Sequence, residues 1–167
     1  SWKWDTSAAP QPKNFFQFQT NSDQPADEVV LSLEATASVD ERAFPQGFSD
    51  RIKQGSLPWV RLIADKPNPM CIAHPEDLMQ FTQVARKCIE LIHDKIRPSK
   101  VHLIGVSPAS TLFRFGQLLQ AGHHPTYWIY DRPKQKHPFM AGLCIDGQQV
   151  MAAVTSASAN QTVIKLR

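Results

Sequence analysis

Lys100-Val-His-Leu-Ile-Gly-Val-Ser-Pro-Ala-Ser110, followed by Thr111-Leu-Phe-Arg-Phe-Gly-Gln-Leu-Leu119 and Thr126-Tyr-Trp-Ile-Tyr-Asp-Arg132, is the stretch that decides the fold class. Val101, Leu103, Ile104 and Val106 make a short, nearly unbroken apolar run, the pattern of a parallel strand covered on both faces. A helix from about Ala109 to Gln120 follows, with Gly122 as its stop. Pro108 suits the first helical turn, where no acceptor awaits its missing N–H, and Ser107 reads as the residue whose oxygen caps the helix. Thr126 to Arg132 is the next strand. This order leaves main-chain N–H groups of the helix start pointing out from the carboxyl edge of a sheet, where open α/β sheets bind ligands. The small residues Ser107, Pro108, Ala109 and Ser110 let a phosphate approach the backbone, so an anionic, nucleotide-like ligand is the first reading.

Upstream, Glu28 to Ala35 reads as a strand with Val29, Leu31 and Leu33 alternating onto one face and polar residues on the other. Trp59 to Ala64 is a second strand, Lys66-Pro-Asn-Pro69 a turn, and Met70 to Ala73 a third strand. His74-Pro-Glu-Asp77 opens a helix of about residues 76–95, whose Leu78, Phe81, Val84, Ala85, Cys88, Ile89 and Ile92 form one apolar stripe. Residues 6–27 read as a meandering segment pinned by Phe15, Phe16 and Phe18, and residues 36–58, broken by Pro45, Gly47, Gly55 and Pro58, as short helix or loop. Asp146-Gly147 between two apolar runs signals an antiparallel hairpin near the C-terminus, and Val163 to Arg167 a last strand. The fold class is therefore α/β: a Rossmann-like, mostly parallel sheet with flanking helices, in a single domain over residues 1–167.

Composition narrows the function classes. With 42% hydrophobic and 20% charged residues, 167 residues bury a core without disulfide or metal staples. A net charge of +3 is too small for a histone-like binder of duplex DNA, and direct nucleic-acid binding is not expected. Cys71, Cys88 and Cys144, odd in number and in apolar surroundings, read as reduced core thiols of a cytoplasmic protein. No apolar run approaches the roughly 20 residues of a membrane helix, so no membrane partner is expected. The opening Ser1-Trp-Lys-Trp-Asp5 reads as the start of an excised piece, because two tryptophans at a free end need a surface to pack on.

On the strand-turn-helix Val101 to Ser110, Phe115-Gly116, Trp128-Ile-Tyr-Asp131, the strand Val29 to Glu34 and the opening Trp2-Lys-Trp-Asp5, the chain resembles the SAVED domain, the sensor module of bacterial anti-phage (CBASS) effectors. The resemblance implies a composite of two diverged Rossmann-like units related to the CARF sensors of CRISPR systems. It also implies binding of a cyclic di- or oligonucleotide, homo-oligomerisation on binding, and a fused effector (nuclease, TIR domain or protease) outside this chain. The domain itself would not be an enzyme and would carry no cofactor. Such a ligand presents phosphates, hydroxyls and flat bases, so its receptor needs backbone or cationic donors and aromatic faces. Ser107, Pro108, Ala109 and Ser110 would cradle a phosphate or ribose, and Phe113 would face the pocket. Arg132 would bind phosphate, Asp131 would accept from a base or ribose hydroxyl, and Tyr130 would leave the strand at the same edge. Trp2, Trp4 and Trp59 are stacking candidates, and Arg61 and Lys66 candidates for a second phosphate.

Three other readings compete. Gly105-Val-Ser107-Pro-Ala109 has the placement of a nucleophile elbow, so a small serine hydrolase using Ser107, with His123, His124 or His137 and Asp131 or Asp146, is the catalytic alternative. Ala109 replaces the elbow's second glycine, however, and Pro108 lacks the N–H an oxyanion hole would use. His74, His93, His102, His123, His124 and His137 include no i, i+4 pair with a carboxylate partner, which argues against a metal site. A purely structural oligomerisation domain is the third.

Overall fold

The computed structural model describes residues 3, 4, 7–119, 125–132, 138–146, 149–152 and 163–165. Its strands are β1 (Phe16–Thr20), β2 (Glu28–Glu34), β3 (Trp59–Ala64), β4 (Lys100–Val106), β5 (Thr126–Asp131), β6 (Met140–Asp146), β7 (Gln149–Ala152) and β8 (Val163–Lys165). Its helices are α1 (Phe48–Lys53), α2 (Pro75–Glu90) and α3 (Ala109–Leu118), with a 3-10 turn at Glu41–Ala43.

The described strands form one sheet in the order β1-β3-β2-β4-β5-β6-β7-β8. The central strands β3, β2, β4 and β5 are parallel, as the apolar runs of β2 and β4 require, while β1 on one side and β6, β7 and β8 on the other are antiparallel additions. The expected hairpin is β6–β7. Its register pairs Asp146 with Gln149, one position beyond the Asp146-Gly147 turn the sequence suggested; residues 147 and 148 lie outside the described residues, as does Gly122. Within the parallel block the first strand, β2, lies between its successor β3 and β4, so the direction of winding reverses between β2 and β4. Such a reversal leaves a crevice at the carboxyl ends of the two strands.

Helices cover both faces. On one side α2, the turn that follows it and α3 pack Phe81, Ala85, Cys88, Ile92 and Phe115 against Val29, Leu31, Leu33, Val101, Leu103 and Tyr127. On the other, Phe44, Phe48 and Leu57 pack against Val30, Trp59 and Ile104. The second layer buries the face of β2 on which its polar residues lie: Ser32 and Glu34 are both 0% exposed. Their polar atoms are satisfied inside, with Arg61 forked onto Glu34 at 2.8 and 2.7 Å, and Ser32 and the Val39 N–H donating to the same carboxylate.

Three expectations are corrected. Residues 6–27 contain β1, held to β3 from Phe16↔Ala64 to Thr20↔Val60. Met70 to Ala73 is not a strand, because the Asn68 side chain takes the Met70 N–H and its carbonyl the Cys71 N–H, closing a turn instead. The long helix ends at Glu90 in a wider π-type turn, Leu91–Ile96, closed by Arg97 N–H on Ile92 O at 2.8 Å. Gly105 has a packing reason: a Cβ there would stand 2.8 Å from Leu112 Cδ2, so glycine lets α3 lie close on β4.

Candidate functional site

Two helices begin at the carboxyl edge of the sheet on the same face, and their N-termini are treated differently. That of α2 is closed by its own side chains. His74 Nδ1 accepts from Glu76 N–H at 3.1 Å, and the buried Asp77 carboxylate accepts from the N–H groups of Gln11 (2.8 Å), Ala73 (3.1 Å) and His74 (2.9 Å). Helix α3 has no side-chain cap. Pro108 occupies the capping position, and the Thr111 hydroxyl donates back to its carbonyl at 2.6 Å, beside Thr111 N–H at 3.0 Å. The N–H groups of Ala109 and Ser110 make no hydrogen bond among the described residues, and the positive end of the helix dipole lies with them.

These donors open into a cleft of about 690 Å³. One wall is Pro69, Met70, Ile72 and Ala73; the other is Pro108, Ala109, Ser110 and Phe113; Lys3 is the one charged residue among the described lining. Met70 and Phe113, both 70% exposed, present a thioether and an aromatic face from opposite walls. Unpaired N–H groups, an ammonium and a hydroxyl suit an anion, and two large apolar side chains beside them suit a flat ring. Burial raises the Cys71 thiol, behind the same turn, to about 11, which makes it a core group rather than a nucleophile.

Four expected site residues, Pro108, Ala109, Ser110 and Phe113, therefore share one cleft. Ser107 does not cap the helix. Its hydroxyl donates to Leu33 O at 2.8 Å and accepts from Ala35 N–H at 3.1 Å, bridging β4 to β2 at the point where winding reverses. A hydroxyl whose proton is committed to a backbone carbonyl is not poised as a nucleophile, and the three histidines proposed to activate it lie outside the described residues.

Tyr130, Asp131 and Arg132 leave β5 at the same edge but are not brought to the described cleft. Tyr130 faces the α1 side, where its hydroxyl meets His102 Nδ1 at 2.7 Å; His102 Nε2 meets Glu28 at 2.7 Å, and Glu28 accepts from Arg51 at 2.8 Å. Burial, then the Glu28 charge, raises the Tyr130 hydroxyl to about 12. Burial lowers His102 more than the Glu28 hydrogen bond raises it. Asp131 accepts from Arg132 N–H at 2.8 Å, and the Arg132 guanidinium lies 5.8 Å over Phe139 in the α1-side core. Trp59 and Arg61 are engaged with each other, with Ser32 and with Glu34. Lys3, Met70, Ile72 and Ala73 carried no local sequence signal; only the approach of the N-terminal segment and the Pro69–Ala73 turn to α3 reveals them. Among the described residues no three His, Cys, Asp or Glu side chains gather into a metal site, and no helix is long and apolar enough to cross a membrane.

The family described as "SMODS-associated and fused to various effectors sensor domain" matches residues 1–145. The chain belongs to the SAVED family. The SAVED fold seen here is similar to that of the Acinetobacter baumannii Cap4 SAVED/CARF-domain containing receptor with the cyclic trinucleotide 2′3′3′-cAAA, at TM-score 0.58 and 15% identity over 79% of this chain and 27% of that one. It is also similar to the same receptor with 3′3′3′-cAAA, at TM-score 0.54 and 14% identity over 79% and 28%. A further structure of that receptor gives TM-score 0.55 and 16% identity over 77% and 25%. This SAVED chain thus spans about a quarter of the length of those receptors. No curated protein matches it.

Proposed function

We propose that this SAVED domain is a sensor that binds a cyclic oligonucleotide in the α3 cleft without turning it over, and that occupancy drives assembly with further copies and activates a fused effector in anti-phage defence. The observation that carries the reading is the uncapped N-terminus of α3 opening into a cleft with Lys3, Ser110, Phe113 and Met70 on its walls. One phosphate lies on the Ala109 and Ser110 N–H groups, with the Ser110 hydroxyl and the Lys3 ammonium as further donors; one base lies between Phe113 and Met70. Stacking on Phe113 is worth about 1–3 kcal/mol. Ser107 acts as a positioning residue that holds the corner to β2. The binding of cyclic trinucleotides by Cap4 receptors of the same fold supports this ligand class. For binding to drive assembly, the ligand must prefer the assembled state, since equal affinity for both states shifts nothing.

Calorimetry against cyclic dinucleotides and cyclic triadenylates of both linkages tests the reading. Saturable binding of one of them, weakened about tenfold or more by Lys3→Ala and by Phe113→Ala, is the expected result. Absence of heat with every ligand, or affinity indifferent to both substitutions, refutes it.

A further inference from the structure

The outer edge of β1 is built to pair with a strand. Phe15 O accepts from Asp65 N–H and Asn21 N–H donates to Trp59 O, so in the antiparallel β1–β3 ladder residues 15, 17, 19 and 21 face β3. The main-chain groups of Phe16, Phe18 and Thr20 therefore point away from the sheet, and none has a partner among the described residues. Phe16-Gln-Phe-Gln-Thr20 carries no charge, no proline and no bulge, the devices that ordinarily blunt an edge strand. Beside it runs a groove of about 350 Å³ between β1 and α2, with Phe16, Phe18 and Val84 as apolar lining and Gln80, Gln83 and Lys87 as polar lining. Phe18 is 40% exposed there.

We propose that β1 pairs antiparallel with β1 of a second copy about a two-fold axis through Phe18. The segment is self-complementary in that register. Phe18 faces its own symmetry mate and Phe16 faces Thr20 of the other copy, so the three outward-facing residues of each strand meet the three of the other. Gln17 then lies opposite Gln19, and the two paired strands carry no charge. The two Phe18 rings stand on the α2 side of the joined sheet, in the groove left beside each helix. Five residues per copy is well under the roughly 20–30 residues a side of a standard stable interface, so the contact is weak and transient. It lies apart from the α3 cleft and needs no ligand.

Sedimentation velocity of the whole chain without nucleotide, from about 5 to 500 µM, tests the proposal. A concentration-dependent monomer–dimer equilibrium is expected. Phe18→Pro, which removes an outward-facing N–H together with the ring at the two-fold axis and leaves the hydrogen bonds to β3 in place, weakens it at least tenfold while the thermal melt stays within a few degrees. Phe18→Cys reads the register directly. Its thiol meets its mate at a Cα separation of about 5.5 Å, within disulfide range, and gives a covalent dimer under mild oxidation. Thr20→Cys, roughly 13 Å from its own mate, does not. A monomer at every concentration, or a dimer unaffected by Phe18→Pro, or equal cross-linking at both cysteines, overturns the proposal whatever the cleft binds.

Discussion

Pro108→Asp separates two properties that most substitutions at a binding site damage together. The capping position of α3 has φ −57° and ψ 149°, a backbone conformation open to any residue, and no side chain now reaches the first-turn donors. An aspartate there accepts from the N–H groups of the first turn and sets a negative charge against the helix dipole. Capping contributes about 0.5–2 kcal/mol and the dipole about 0.3–1 kcal/mol. Loss of proline restores freedom to the unfolded chain, at about 0.4–1 kcal/mol. The net effect on stability is therefore between neutral and about 2 kcal/mol favourable. Binding moves the other way. The Ser110 donor, at the second helical position, is taken by the new carboxylate, and one charge-assisted hydrogen bond of about 1.5–3 kcal/mol is lost with the phosphate. That is about tenfold or more in Kd, before the repulsion between carboxylate and phosphate is counted. Pro108→Ser is the control: it caps without charge and keeps part of the affinity. Thermal unfolding and calorimetry with whichever cyclic oligonucleotide the wild type binds read the two quantities. A Pro108→Asp protein that melts as high as the wild type and binds as tightly would refute the assignment of the phosphate to this helix end.

Glu34→Ala should cost about 3–5 kcal/mol in urea unfolding, because it leaves the forked Arg61 guanidinium without its counter-charge and orphans the Val39 N–H in the core. A loss under 1 kcal/mol would show that Arg61 finds another partner. Stability should also fall on acidification in two windows. His102 is lowered by burial from its ordinary 6.5, so the unfolded chain binds its proton first and stability is lost as pH falls from 6.5 towards the folded value. Burial raises Glu28, but hydrogen bonds from His102 and Arg51 outweigh it and leave it below its ordinary 4.5, so further stability is lost as pH drops below that value. Denaturant midpoints measured across pH 7 to 3 should lose the upper window in His102→Gln and show a smaller lower one, because Glu28 then keeps Arg51 as its only charged partner among the described residues.

The parallel block was legible because its evidence is local. Continuous apolar runs mark β2 and β4, a stripe at spacings of three and four marks α2, and Ser107-Pro108 followed by helix-forming residues marks the β4–α3 corner and its open edge. Periodicity needs only neighbours along the chain. The family likewise rests on contiguous residues, and the comparison over residues 1–145 bears it out. Local pattern did not reveal β1, whose alternation is short and whose strand conformation is supplied by pairing with β3, forty or more positions away. Nor did it reveal that the polar side of β2 is buried, because that depends on residues 36–58 folding over it and on Arg61 arriving from the next strand. The cleft divides the same way. Its donors at Ala109 and Ser110 follow from a turn, whereas Lys3 and Met70 enter only because distant segments pack beside α3, and Tyr130 leaves it because alternation along β5 turns the ring to the other face. Residue type and spacing determine which groups can act; the side of the sheet on which each one lands is set by strand register and by contacts distant in the chain.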